Sequence, residues 1–144
     1  RSMSAVRISS SVALAGPAMN IALASASALL FHVPPFVPED SAVFVVEILK
    51  VSIYINVLLA VFNMIPLPPL DGGRVAVGLL PLPLARSLAR TEKYGILLLL
   101  GAMIALPWLG SVIGVDLDLF TQIILPVVDA VIRFIATVTG LTSG

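Results

Sequence analysis

Four long stretches of the chain contain almost no charge, and each is long enough to cross a lipid bilayer as a helix. A transmembrane helix needs about 20 mostly apolar residues, and residues 11–33, 41–65, 94–115 and 119–141 all reach that length. Because the bilayer core offers no water to the backbone, a spanning segment must satisfy its own hydrogen bonds as a helix or in a closed barrel. The unbroken apolar runs favour helices. We therefore expect an all-α, polytopic transmembrane helix bundle with four spans, forming a single membrane-embedded domain over residues 1–144.

The composition supports the same class of protein. Charged residues make up 11% of the chain and hydrophobic residues 59%, whereas a soluble domain has about 25% charged residues. The net charge is zero, which leaves no basic surface for nucleic acid. The chain has no cysteine, so disulfides and thiolate metal sites are excluded. We expect the lipid bilayer, and no nucleic acid, as a partner.

The predicted loops alternate in the sign of their charge. Lysine and arginine mark the cytoplasmic side of a membrane, and they concentrate before span one and between spans two and three. We therefore predict a multi-pass protein with cytoplasmic N- and C-termini, in the inner membrane of a bacterial cell, since the chain carries no inserted domain. The charges are Arg1 and Arg7 before span one, Glu39 and Asp40 in the first loop, Asp71, Arg74, Arg86, Arg90, Glu92 and Lys93 in the second, and Asp116 and Asp118 in the third.

Two charged pairs lie within the spans at helical spacing. Glu47 and Lys50 are three residues apart, and Asp129 and Arg133 are four apart, so each pair can meet on one helix face. Charges are costly inside a membrane, and we interpret both pairs as structural or interfacial ion pairs. His32 falls at the predicted outer end of span one, where we expect an interfacial role.

Span one is rich in small residues, which allow helices to approach closely in lipid. The span also contains Gly16-Pro17, which is tolerated only where neighbours satisfy the freed backbone groups. We expect this span to be buried among the others through a small face at helical spacing: Ala15, Ala18, Ala22, Ser25 and Ala26.

The segment FNMIPLPPLDGGR, residues 62–74, interrupts the apolar pattern. Its three prolines cannot continue a helix and favour extended backbone before them, so we predict a broken, extended segment after span two. Asp71 follows, and a short helix then begins. The Asp71 carboxylate could cap that helix by accepting hydrogen bonds from its first amides. The alternative is a metal ligand or a proton-handling carboxylate held rigidly at the end of a span.

Three asparagines lie near this segment. Asn56 and Asn63 fall on one face of span two, and Asn20 lies one turn beyond Gly16-Pro17 in span one. Each could bind a ligand or take part in catalysis, or it could form a hydrogen bond to a neighbouring helix, which is the commoner role of such residues in membranes.

The same residues resemble a known family. N-M-I-P-L-P-P-L-D-G-G, from Asn63 to Gly73, resembles the second signature of the site-2 protease family of intramembrane zinc metalloproteases. A-L-A-G-P-A-M-N, from Ala13 to Asn20, is similar to the segment that opens the preceding span in that family. The resemblance implies that Asp71 is a ligand of one Zn²⁺ ion and that Asn63 lies beside the metal as a catalytic residue. It also implies that membrane-spanning proteins are the substrates, cut near the cytoplasmic side.

One part of the family pattern is absent from this sequence. The two other zinc ligands and the general base belong to an H-E-x-x-H helix, whereas His32 is the one histidine here and no glutamate follows it. We expect the chain to be the C-terminal part of a larger protease core, with H-E-x-x-H encoded upstream, and inactive by itself. The alternatives are a non-catalytic paralogue that acts as a binding or regulatory module, and a fragment of a channel or transporter.

Overall fold

The chain folds into helices joined by short turns. The computed structural model describes the backbone of residues 3–141 and the side chains of residues 7–141, so Arg1 lies outside the described residues. Within that range there are no strands, and four helices are long and apolar enough to cross a membrane, which confirms the predicted all-α transmembrane class. The helices are α1 (Met3–Leu30), α2 (Glu39–Asn63), α3 (Asp71–Leu79), α4 (Leu82–Arg90), α5 (Gly95–Ile113) and α6 (Leu125–Val138), with 3₁₀ turns at Pro34–Phe36 and Thr91–Tyr94 and a π-helical turn at Phe120–Ile124.

The helix boundaries follow local signals. α1 ends at Leu30, shortly before Pro34 and Pro35, which lack the amide hydrogen that a continued helix requires. α2 begins directly after Pro38 and has Glu39 and Asp40 in its first turn, where negative charge complements the helix dipole. These two acids, predicted to lie in a loop, therefore belong to a helix.

The core lies where α1, α2 and α6 meet. Its fully packed side chains are Ala24, Ala28, Ile53, Val57, Val128 and Ile135. The predicted small face of span one was wrong, because four of its five members are exposed. α1 has small residues on every side, so spacing alone could not indicate which of them face the neighbouring helices.

Both predicted ion pairs form. Lys50 Nζ lies 3.4 Å from Glu47 Oε1, and Arg133 Nη2 lies 2.9 Å from Asp129 Oδ2. All four side chains are more than half exposed, so the pairs face outward rather than into the bundle. Each pair forms along one face of a single helix, as its spacing predicted.

α6 runs in the same direction as α1. A groove at the Asp71 end of the bundle is lined by Pro17, Met64 and Ile124. At the opposite end, His32 Nε2 donates a hydrogen bond to the Thr139 carbonyl oxygen at 2.9 Å. The C-terminal end of α6 therefore lies with His32, away from Asp71.

This direction disagrees with the predicted alternation, in which the C-terminus shares a side with Asp71. The apolar stripe of α6 includes the buried Val128 and Ile135, and such a stripe can pack into the groove between α1 and α2 in either direction. The loop charges predicted the opposite direction for α6.

Asp118 forms the start of the last helical segment. Its carboxylate accepts hydrogen bonds from the Thr121 hydroxyl at 2.7 Å and from the Thr121 amide at 3.2 Å. These bonds favour the charged form and lower the pKa of Asp118 below its usual value, the hydroxyl bond contributing most.

Candidate functional site

The bridge between α2 and α3, residues 64–70, is a compact turn. Prolines have no amide hydrogen, so the bridge has few backbone donors. Two of these donors close successive turns. Leu67 N donates to Ile65 O at 2.7 Å, and Leu70 N donates to Leu67 O at 3.0 Å. The peptide bond between Pro68 and Pro69 is cis. The predicted break after span two is confirmed, and these hydrogen bonds fold the broken segment into turns rather than one extended run.

Glycines allow the bridge to pack directly on its neighbours. A Cβ atom on Gly72 would collide with the Met64 carbonyl, and one on Gly73 would collide with the backbone of Pro68. A Cβ on Gly95, at the start of α5, would collide with the Pro68 carbonyl from the other side. Since backbone contacts backbone at all three points, the bridge is held between α3 and α5.

The Asp71 carboxylate points at α1. A Cβ atom built on Gly16 would lie 3.0 Å from Asp71 Oδ2, so this glycine leaves the space that the carboxylate occupies. The N-cap of α3 is Leu70, and no side chain caps the helix. Asp71 is half-buried, and among the described residues no hydrogen bond or ion pair reaches its carboxylate. The capping interpretation was therefore wrong, and the carboxylate is available to a ligand.

A line of polar side chains connects α1 to α2. Ser27 Oγ and Ser52 Oγ are 2.7 Å apart and share a hydrogen bond. Asn56 Nδ2 donates to the Ser52 carbonyl at 2.8 Å. Both hydrogen bonds of Asn56 go to Ser52 within α2, so the predicted hydrogen bond from Asn56 to a neighbouring helix is not formed among the described residues. We call Ser27, Ser52 and Asn56 the polar seam.

The polar seam sets the register of the two antiparallel helices. Asn63 is eleven residues after Ser52, and Gly16 is eleven residues before Ser27. Eleven residues are about three helical turns, so Asn63 and Gly16 lie at one level and on the faces that meet. The Met64 carbonyl also packs on Gly72, which brings the end of α2 to the start of α3. Asn63, Gly16 and Asp71 therefore converge at this end of the bundle.

Asn63 and Asn20 have no side-chain hydrogen bond among the described residues, and both are half-buried. Asn20 follows Gly16 by one turn and shares its face. The interhelical hydrogen bond expected for Asn20 is not formed. Both amides are thus free to bind a molecule that enters near Asp71.

His32 lies at the far end of the bundle from Asp71. The fourteen residues from Gly16 to Leu30 span about 21 Å of helix, and His32 lies beyond them. Within residues 7–141, no group of three or more His, Asp or Glu side chains could hold a metal ion. The described residues therefore supply Asp71 as one suitable oxygen ligand for zinc and no complete ligand set.

Comparison with known proteins places the chain in a family. The model of peptidase family M50, the site-2 protease family, matches residues 34–107, just over half of the chain, and the chain therefore belongs to that family. A protein of Bacillus subtilis (strain 168), described as "Putative zinc metalloprotease YwhC", is 31% identical over 126 residues, covering 80% of this chain. The chain spans 58% of the length of that relative. No solved structure matches the chain.

Sequence reasoning did not assign roles to Gly16, Ser27 and Ser52. Gly16 lies 55 positions before Asp71, and nothing in local spacing connects them. The serines gave a weak signal, since each lies on the same helix face as a polar residue that was noticed: Ser52 with Asn56, and Ser27 with Asn20.

Proposed function

We propose that this chain forms part of an intramembrane zinc metalloprotease of the site-2 type, with Asp71 as a metal ligand and Asn63 as a catalytic residue. One observation carries the proposal: a half-buried carboxylate, without a protein partner among the described residues, is held against Gly16 at the end of a membrane-spanning helix. Membership of peptidase family M50 supports the same chemistry.

The residues of this chain have distinct tasks in the proposed site. Asp71 offers a carboxylate oxygen, a ligand type that zinc accepts. The Asn63 amide offers a hydrogen-bond donor to the carbonyl oxygen of a substrate peptide, where negative charge develops during cleavage. Bound zinc would supply Lewis acidity for activating water and polarising the scissile carbonyl.

The remaining ligands must come from outside the described residues. A catalytic zinc has three protein ligands, so we propose that this chain is the C-terminal part of a protease core whose H-E-x-x-H helix packs beside α1 and α2. The proposed substrates are membrane-spanning helices of other proteins, cut at the end of the bundle that contains Asp71. We propose that this end faces the cytoplasm of a bacterium.

The test replaces Asp71 with asparagine in the complete gene product. Asp71→Asn keeps the shape of the side chain but weakens the ligand, and it is expected to abolish cleavage of a transmembrane reporter and to lower zinc content measured by mass spectrometry. Asp129→Asn, an exposed carboxylate on α6, is the control and should retain both. Full zinc content and activity in Asp71→Asn would remove Asp71 from the metal site.

A second candidate function is that of a non-catalytic paralogue. It is favoured because a catalytic zinc has three protein ligands, whereas the described residues supply one suitable ligand, Asp71. The gene sequence upstream of Arg1 separates the two. An in-frame H-E-x-x-H within a preceding span supports the protease. Its absence, together with zinc-free purified protein, supports the binding module.

A further inference from the structure

α4 is a short helix with one basic side and one apolar side. Arg86 and Arg90 are four residues apart and share a face, and Lys93 follows in the adjoining 3₁₀ turn. We call these three residues the basic face. The opposite side carries Leu84 and the buried Ala85. Leu84 is 57% exposed and Leu82 at the start of the helix is 63% exposed, so apolar side chains flank the cations on the surface.

The end of α2 indicates the depth of the basic face. α2 has 25 residues, about 37 Å at 1.5 Å per residue, which exceeds a hydrocarbon core of about 30 Å, and it ends at Asn63 beside the bridge. The start of α5 packs on this bridge, because a Cβ on Gly95 would collide with the Pro68 carbonyl. The thirteen residues 82–94 lead directly into Gly95, so the basic face lies near the end of a span.

The residues at this junction are those of a membrane interface. Tyr94 is exposed beside the start of α5, and the Lys93 ammonium lies 5.7 Å from its ring centroid. Tyrosine is enriched at the level of the lipid headgroups. Arg90 precedes Gly95 by five residues, so it lies close to this junction.

The cations of the basic face lack carboxylate partners. The nearest acid in the sequence, Glu92, pairs with Arg74 at 3.6 Å. Among the described residues, no carboxylate forms an ion pair with Arg86, Arg90 or Lys93, and all three side chains are exposed. Three cations near the end of a span are thus left to attract an external anion.

We propose that the basic face binds the phosphate groups of anionic phospholipids. A lipid fits better than a soluble anion, because the exposed Leu82, one turn before Arg86, and the exposed Leu84 on the other side of α4 give acyl chains an apolar surface. An amphipathic helix with cations on one side and leucines on the other binds anionic membrane surfaces for this reason. This inference depends on the membrane-spanning fold and is independent of the proposed protease activity.

The test measures which lipids surround α4. The chain has no cysteine, so Ser87→Cys on α4 can carry a single fluorescent donor. The protein is reconstituted in phosphatidylcholine nanodiscs with 0–30 mol% phosphatidylglycerol, and energy transfer is compared between headgroup-labelled phosphatidylglycerol and phosphatidylcholine acceptors. We expect several-fold greater transfer to phosphatidylglycerol, lost on raising the salt to 0.5 M because screening weakens exposed charges.

A matched pair of variants separates the basic face from total charge. Each cation near the membrane surface is expected to change the local lipid ratio by roughly fivefold, so Arg86→Gln/Arg90→Gln should remove most of the preference. Lys50→Gln/Arg133→Gln removes the same amount of charge from two cations that already form ion pairs, and it should leave the preference for phosphatidylglycerol unchanged.

Several outcomes would overturn the inference. Equal transfer to the two lipids in the unmodified protein would do so, as would an equal loss in the control variant. If 10 mM inorganic phosphate at constant ionic strength abolishes the preference, the site binds a soluble anion. If a polyglutamate peptide does so under the same conditions, the partner is an acidic protein segment.

Discussion

Replacing Gly16 with alanine tests whether α1 sets the position of the Asp71 carboxylate. The added Cβ would lie 3.0 Å from Oδ2, whereas ordinary contacts begin at 3.4 Å, so the carboxylate must move by about 3.4 − 3.0 = 0.4 Å. Metal–ligand distances tolerate deviations of about 0.2 Å. Perturbing a group that positions a ligand typically costs 10–100-fold in metal affinity or activity, and we expect a loss in that range.

The assay combines zinc affinity, kcat for a transmembrane reporter, and thermal unfolding in detergent. Gly101→Ala on α5 is the control, because its Cβ would meet nothing within 4 Å. We expect Gly16→Ala to lose zinc affinity and turnover with an unfolding midpoint close to that of the unmodified protein. Turnover and zinc affinity equal to those of Gly101→Ala would refute the positioning role. A collapse of the midpoint would show instead that Gly16 serves helix packing.

Four other changes test separate parts of the structure. Asn63→Ala should lower kcat at least tenfold with zinc content retained, since one lost oxyanion donor costs that much or more; failure to assemble would indicate a packing role. Ser52→Ala should cost about 0.6 kcal/mol of unfolding free energy, the usual value of an interhelical hydrogen bond in a membrane, and no change would mean that the polar seam does not set the register. The lowered pKa of Asp118 contributes stability that is present above its unfolded-state pKa and is lost as pH falls through its folded-state pKa; Asp118→Asn should therefore show a weaker acid dependence of unfolding, and an identical profile would contradict this. Cysteines placed at Ser87 and Val138 should be labelled from opposite sides of the membrane if α6 runs parallel to α1, and from the same side if the charge-based alternation is correct.

The helices could be predicted from the sequence, but the way they pack against one another could not. Apolar runs longer than a bilayer core determine that spans exist, and prolines near residues 34 and 66 determine where two of them end. The fold of the bridge depends on which of its few amide donors pair, as Leu67 and Leu70 do. The direction of α6 depends on packing in the core. Neither property has a periodic signature.

The candidate site, too, could be predicted only in part from the sequence. Asp71 was found because a carboxylate behind a proline run is unusual in an apolar chain, and the family resemblance gave it a role. Its contact with Gly16 joins positions far apart in sequence, so it could be found from the folded chain alone. The hydrogen bond between Ser27 and Ser52, which sets the register that brings Asn63 to the level of Gly16, could likewise be found only from the folded chain.

The glycines around Asp71 hold it in two different ways. Gly72 and Gly73 meet the backbone of the bridge, which cannot move without opening α3, so a side chain at either position should prevent folding. Gly16 meets the movable end of a carboxylate, so a side chain there should displace the ligand and spare the fold. A metal ligand needs both: a fixed Cα, which the bridge supplies, and a restricted side-chain direction, which α1 supplies. This explains why a chain with so few polar residues contains an Ala-Gly-Pro segment in one span and a Pro-Pro-Leu-Asp-Gly-Gly segment after the next.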